Sequence, residues 1–150
     1  MELIFTKGAG KFDRLVLRRP GFADQAIDCP KQRIIPHDMV HFAVESVLEA
    51  RGFLRRAAAG ERADFNMAAE SESDGVERLV ETVQGDAWSG GSTAPDEVLA
   101  LYGVTCDARG CPPLPVDMAA IEAIRTRVAE LTCDWEAVPI GGTMTMRLAC

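Results

Sequence analysis

Between Glu2 and Cys29 the apolar residues come in short alternating runs, and beyond Pro36 they recur every three or four positions. The first pattern is that of strands, the second that of helices. Glu2–Lys7 and Phe12–Arg19 are β-prone runs joined by Gly8-Ala9-Gly10-Lys11, whose glycines could supply the positive φ of a hairpin turn. Leu15 and Leu17 should then face the core, Arg14, Val16 and Arg18 the solvent, with Arg19 at the strand's end. Phe22–Cys29 predicts a third strand, stopped by Pro30. Pro36 suits the first turn of a helix over His37–Arg51, which buries Val40, Ala43, Val44 and Val47, leaves Glu49 wet and has Gly52 just past its end.

Phe53–Ala59 predicts a short helix with Arg55 and Arg56 in solvent, and Glu70–Gly75 a mobile loop. Asp74 and Glu77 resemble a capping pair for a helix that buries Val76, Leu79, Val80 and Val83, with Gly85 past its end. A fourth helix should start at Thr93-Ala94-Pro95 with a hydroxyl cap and stop at Gly103. The longest, Asp117–Cys133, carries the stripe Met118, Ile121, Ile124, Val128 and Leu131. Trp135–Ile140 and Thr143–Leu148 flank Gly141-Gly142 and predict a closing hairpin. The whole, residues 1–150, is expected to be one α+β domain: an antiparallel sheet from the N- and C-terminal hairpins, packed against four to five helices.

The composition, 47% apolar and 26% charged, excludes disordered and fibrous classes. Met1–Lys7 has no basic segment and only three consecutive apolar residues, so neither an export signal nor a membrane span is expected. Five cysteines without an export signal are expected to be reduced thiols in the cytoplasm. Cys106 and Cys111 do not have the two-residue spacing of a zinc knuckle. The net charge of −7 makes nucleic acid an unlikely partner, and Glu2, Asp13, Asp24 and Asp28 interrupt the one basic sheet face. Residues 1–60 hold ten Lys/Arg against seven Asp/Glu, and residues 61–150 six against sixteen. That asymmetry suits one half of the fold lying against the other, or a second subunit.

Both histidines of the chain, His37 and His41, lie on the first helix, four residues apart and so on one face. The positive end of the helix dipole favours neutral imidazole there, which can bind metal. His37-Asp38-Met39-Val40-His41 resembles the zincin metalloprotease motif, and that resemblance implies zinc on His37 and His41 with Asp38 as the base that activates water. Asp38 stands where the family has glutamate, and with bonds of about 1.5 Å its carboxylate would fall short by about 1 Å or more. Glu45 is about 12 Å along the helix from His37, too far to share an ion with it. A third ligand must come from another segment, with Glu70, Glu72, Glu77, Glu81 and Cys29 as candidates. The segment through Ile34, Pro36, His37, Asp38, Val40 and His41 also resembles one in small uncharacterised bacterial proteins, which implies no activity.

A structural role competes with metal binding. His41 can pair with Glu45 at i, i+4, and the two rings are then expected to diverge, with no third ligand in reach and no cofactor. The chain contains no phosphate loop and no nucleophile elbow. Association with itself or with another protein is the function these features favour, and the alternative is a zinc-dependent hydrolase centred on His37 and His41.

Overall fold

The computed structural model describes residues 1–64 and 67–149. β1 (Glu2–Thr6) pairs antiparallel with β2 (Phe12–Arg18), setting Leu3 opposite Leu17 and Phe5 opposite Leu15. All four side chains are fully buried, because residues two apart on paired strands share a face. β3 (Gln25–Pro30) adds beside β2, and β4 (Thr143–Arg147) adds beside β1, for an antiparallel order β3-β2-β1-β4. Neither Gly8 nor Gly10 has positive φ. Gly8 is required for space instead, since a Cβ there would lie 2.0 Å from the Phe12 carbonyl oxygen. Arg14 and Arg18 are exposed as expected, and Arg18 is paired with Asp24 at 2.8 Å. Arg19 turns inward, donating to the carbonyls of Ala57 (2.7 Å) and Glu61 (3.1 Å).

Among the described residues five helices pack with this sheet around one core: α1 (His37–Leu48), α2 (Phe53–Ala58), α3 (Ser71–Trp88), α4 (Pro95–Arg109) and α5 (Met118–Ala137). The fold is therefore α+β, but β4 arrives without a hairpin partner. Trp135, expected in a strand, continues the buried stripe of α5 one turn after Leu131 and meets Phe5 edge-on, with ring centroids 6.3 Å apart. Ile121, Ile124, Val128 and Leu131 are buried, whereas Met118, at the first turn, is exposed. Asp117 caps that helix, its carboxylate accepting from the Ala120 N–H at 2.8 Å.

The α1 stripe is oriented as its spacing requires, with Val40 and Val44 buried, Val47 half-buried and Glu49 exposed. The helix ends earlier than expected, at Glu49 in the left-handed region, and Gly52 precedes α2. Glu70–Gly75 is not a loop. α3 begins at Ser71, so Asp74 and Glu77 are not a capping pair, and Gly75 and Gly85 lie inside the helix. α4 likewise runs through Gly103 to Arg109 without a side-chain cap from Thr93, which places Cys106 in the core. Among the described residues Cys29, Cys106, Cys111 and Cys133 are free thiols, and no helix is long and apolar enough to cross a membrane.

Arg56, expected in solvent, is buried between Glu61 (2.7 Å) and Glu70 (3.2 Å), and Arg51 reaches the same two carboxylates at 2.7 and 2.8 Å. The basic first part of the chain is thus neutralised in part by the acidic remainder. These pairs hold Glu61 and Glu70 against α2 and the link between α1 and α2, and residues 63–64 and 67–69 between them form one wall of the cleft described next.

Candidate metal centre

α1 packs against α3, and at this contact His37 and His41 meet Glu77. The i, i+4 spacing stacks the two rings on one face, 4.9 Å apart between centroids and nearly perpendicular. Glu77 stands on the border of the α3 stripe of Val76, Leu79, Val80 and Val83, so burying that stripe turns its carboxylate toward α1. His41 Nε2 lies 3.0 Å from Glu77 Oε2, and His37 Nε2 lies 3.4 Å from Glu77 Oε1. The expected divergence of the rings does not occur, and a third ligand is within reach.

The opposite ring nitrogens are also held. His37 Nδ1 is 2.9 Å from Gln84 Oε1, and His41 Nδ1 is 3.2 Å from Glu45 Oε1. The pairing of His41 with Glu45 is the one expected from their spacing, but Glu45 is fully buried rather than on an acidic surface. Its carboxylate also accepts from the N–H groups of Leu54 (3.0 Å) and Arg55 (2.8 Å), which fixes α2 to α1. With Nδ1–H donating to Gln84 and to Glu45, loss of the second proton from each ring would free its Nε2 lone pair for a ligand on the Glu77 side. The Gln84 amide is oriented by this bond alone, since its buried Nε2 has no partner among the described residues.

Zinc bound by nitrogen or oxygen at about 2.0–2.1 Å in a tetrahedron sets neighbouring ligand atoms about 3.3 Å apart. Here the 3.0 and 3.4 Å separations run to the two different oxygens of Glu77, and one ligand atom from each of the three residues lies within 4.8 Å of the others, so closure on an ion takes small side-chain shifts. His37, His41 and Glu77 make a two-histidine, one-carboxylate set with room for a fourth ligand. All three line a cleft of about 570 Å³, to which Asp38, Phe53, Arg56 and the 63–64 and 67–69 segments also contribute.

The electrostatics correct the expectation of neutral rings. His41 is pushed up to about 10: burial works against its charge, but the hydrogen bonds and the negative charges of Glu45 and Glu77 outweigh burial. His37 is raised as well, against burial, chiefly by its bond to Glu77. Burial would raise Glu77, yet the two imidazoles hold it far below the usual carboxylate range. The effect of the helix N-terminus is overridden by full charges at contact distance.

The other proposed ligands have other partners. Glu70 is tied to Arg51 and Arg56, Glu72 accepts from the Arg51 N–H, and Glu81 pairs with Arg78. The Cys29 thiol donates to Asp38 at 3.2 Å, and burial, with Asp38 next, pushes its pKa up, so it is a poor ligand. Asp38 lines the same cleft and, among the described residues, is in no ion pair. Sequence reasoning missed Gln84 and the burial of Glu45. A signal for the first existed: Glu77 and Gln84 are seven residues apart, on one line along α3. Comparisons with protein-family models, curated proteins and solved structures found no match for this chain.

Proposed function

We propose that His37, His41 and Glu77 bind a divalent transition metal, zinc first, and that the centre serves hydrolysis in the cleft onto which it opens. One observation carries this: both Nε2 atoms converge on the Glu77 carboxylate while both Nδ1 atoms are held by side-chain acceptors. Imidazole, imidazole and carboxylate match zinc's ligand preferences, and three protein ligands with a free fourth position are the pattern of catalytic rather than structural zinc.

Zinc at that place would lower the pKa of a coordinated water toward 7 and polarise a carbonyl. Asp38, which lines the cleft but is a methylene shorter than the glutamate of the zincin motif, is proposed to take the proton of that water through one intervening water as its oxygen attacks the carbonyl carbon. The same proton would pass to the leaving amine or alcohol as the carbon–nitrogen or carbon–oxygen bond breaks. The free thiols fit a reducing compartment, and we place the protein in the cytoplasm.

The test is metal content. Untagged protein stripped with chelator and titrated with zinc should take up one ion per chain, and His41→Ala and Glu77→Ala should each abolish this uptake while the fold is retained by circular dichroism. Wild-type protein that stays metal-free at micromolar zinc would overturn the proposal. A hydrolysis screen with ester and amide chromogens should then show turnover that zinc supports and Asp38→Asn reduces.

A second reading, association with another copy or another protein, is favoured by Leu101 and Val104, which lie three residues apart on α4 and are both exposed. Sedimentation of wild type and of Val104→Asp decides it: a dimer lost in the variant supports it, and a monomeric wild type leaves self-association without support.

A further inference from the structure

Besides Glu77 the described lining of the cleft carries four carboxylates, those of Asp28, Asp38, Asp64 and Asp74, contributed by β3, α1, the segment after α2 and α3, and of these Asp64 is paired with Arg62 at 3.5 Å. The one arginine among the described lining residues, Arg56, is engaged by Glu61 and Glu70 and only more weakly feels Asp74. Asp28 and Asp74 are exposed and, among the described residues, are in no ion pair. Asp74 is one helical turn before Glu77, on the same side of α3. Between these acids the walls are apolar, with Ile27, Pro30, Phe53, Met67 and Ala68 among the lining residues.

A bound divalent ion offsets Glu77 and one further carboxylate at most, so the loaded cleft is still negative on balance. An anionic substrate would approach the metal past carboxylates that repel it, whereas an ammonium or guanidinium group would gain from each of them. Discrimination of this kind comes as much from the repulsion of the wrong charge as from attraction of the right one.

We propose that the substrate of this centre has an apolar body and a cationic amine: the metal holds the reacting carbonyl, Phe53 and Met67 lie along the body, and Asp28 and Asp74 receive the cation. Phosphate esters and carboxylates are excluded as a class. This inference rests on the metal-centre reading above.

The test uses cobalt(II)-substituted full-length protein, in which the visible absorption of four-coordinate cobalt reports ligand binding directly. Three probes share a metal-binding head and a ring: benzohydroxamate, its 4-aminomethyl derivative and its 4-carboxy derivative. The aminomethyl probe should bind at least ten times more tightly than the carboxy probe, with the unsubstituted one between them. Asp28→Asn/Asp74→Asn should reduce that ratio to about threefold or less while leaving cobalt binding and the affinity for unsubstituted benzohydroxamate unchanged. Equal affinities for the two charged probes, or cobalt whose spectrum none of the three perturbs, would overturn the substrate assignment and leave the metal centre standing. Protein that takes up no cobalt would overturn both.

Discussion

Gly52 lies against the carboxylate of Glu45, so closely that a Cβ at position 52 would come within 2.6 Å of Glu45 Cδ and Oε1 and of Val76 Cγ1. Its φ of −93° is open to any residue, so space alone demands the glycine. Gly52→Ala must push Glu45 away from His41 or move the start of α2. Overpacking of this kind costs about 1–3 kcal/mol, and the variant should show a lower Tm without metal. Because Glu45 orients His41, its zinc affinity should fall as well, on the order of tenfold. Thermal melts and a zinc titration measure the two effects separately, and an unchanged Tm would mean that the helix junction yields without strain.

The stability of the metal-free protein should depend on pH in two directions. His41 is raised from 6.5 to about 10, so its bonds to Glu45 and Glu77 contribute fully below pH 6.5, and that contribution is lost as pH rises toward 10. Glu77 is lowered from its usual 4.5, so its contribution is present above that value and is lost as pH falls below it. Denaturant midpoints measured from pH 3 to 10, with chelator present, should therefore give a plateau on the weakly acidic side of neutrality. His41→Gln should flatten the alkaline limb, and an equally steep limb in that variant would assign it to other groups.

Zinc changes the sign on the alkaline side. A proton on His41 must leave before Nε2 can bind metal, and with a pKa of about 10 the ring holds that proton at pH 7. Binding at pH 7 should release about one proton or more per ion. Calorimetric titrations in phosphate and in Tris, whose ionisation enthalpies differ widely, should then give different apparent enthalpies. The Tm gap between zinc-loaded and metal-free protein should widen from pH 6 to 8. Identical enthalpies in both buffers would show that His41 gives up no proton on binding, either because it is already neutral at pH 7 or because it is not a ligand.

Where burial follows from one element's own period, the chain could be read directly. Leu15 and Leu17 alternate within β2, and Val40 and Val44 recur within α1, so their inward faces need no knowledge of a partner. The site was half legible for the same reason. His37 and His41 share a face by helical geometry, whereas the selection of Glu77 from five candidates depends on how α3 lies against α1, which no local pattern encodes. Polar residues misled where a partner overrode their own preference. Glu45 and Arg56 belong to types that favour solvent, yet each is buried because several donors or acceptors converge on it from other segments. Trp135 misled for a different reason: one turn beyond Leu131 it satisfies a helical period as well as a strand's alternation, and the sheet face under Phe5 decided between them.

Arg56 offers the sharpest test of how the cleft wall is held. The residue is 4% exposed, its guanidinium lies between Glu61 and Glu70, and Arg51 grips the same two carboxylates from the solvent side. Removing the cation and removing its partners should not be equivalent. Arg56→Met keeps most of the apolar stem and leaves two half-exposed acids that Arg51 and water still serve, so a cost of about 1 kcal/mol is expected. Glu61→Gln/Glu70→Gln leaves a charged guanidinium buried with only the weaker field of Asp74 to offset it, and the cost should reach about 3 kcal/mol. Chemical denaturation orders the two variants. The double variant should also be cut by trypsin after Arg62 faster than wild type, because positions 61 and 70 lose their ties to Arg51 and Arg56. If Arg56→Met proves the more destabilising of the two, the network stabilises through packing of the arginine stem rather than through charge.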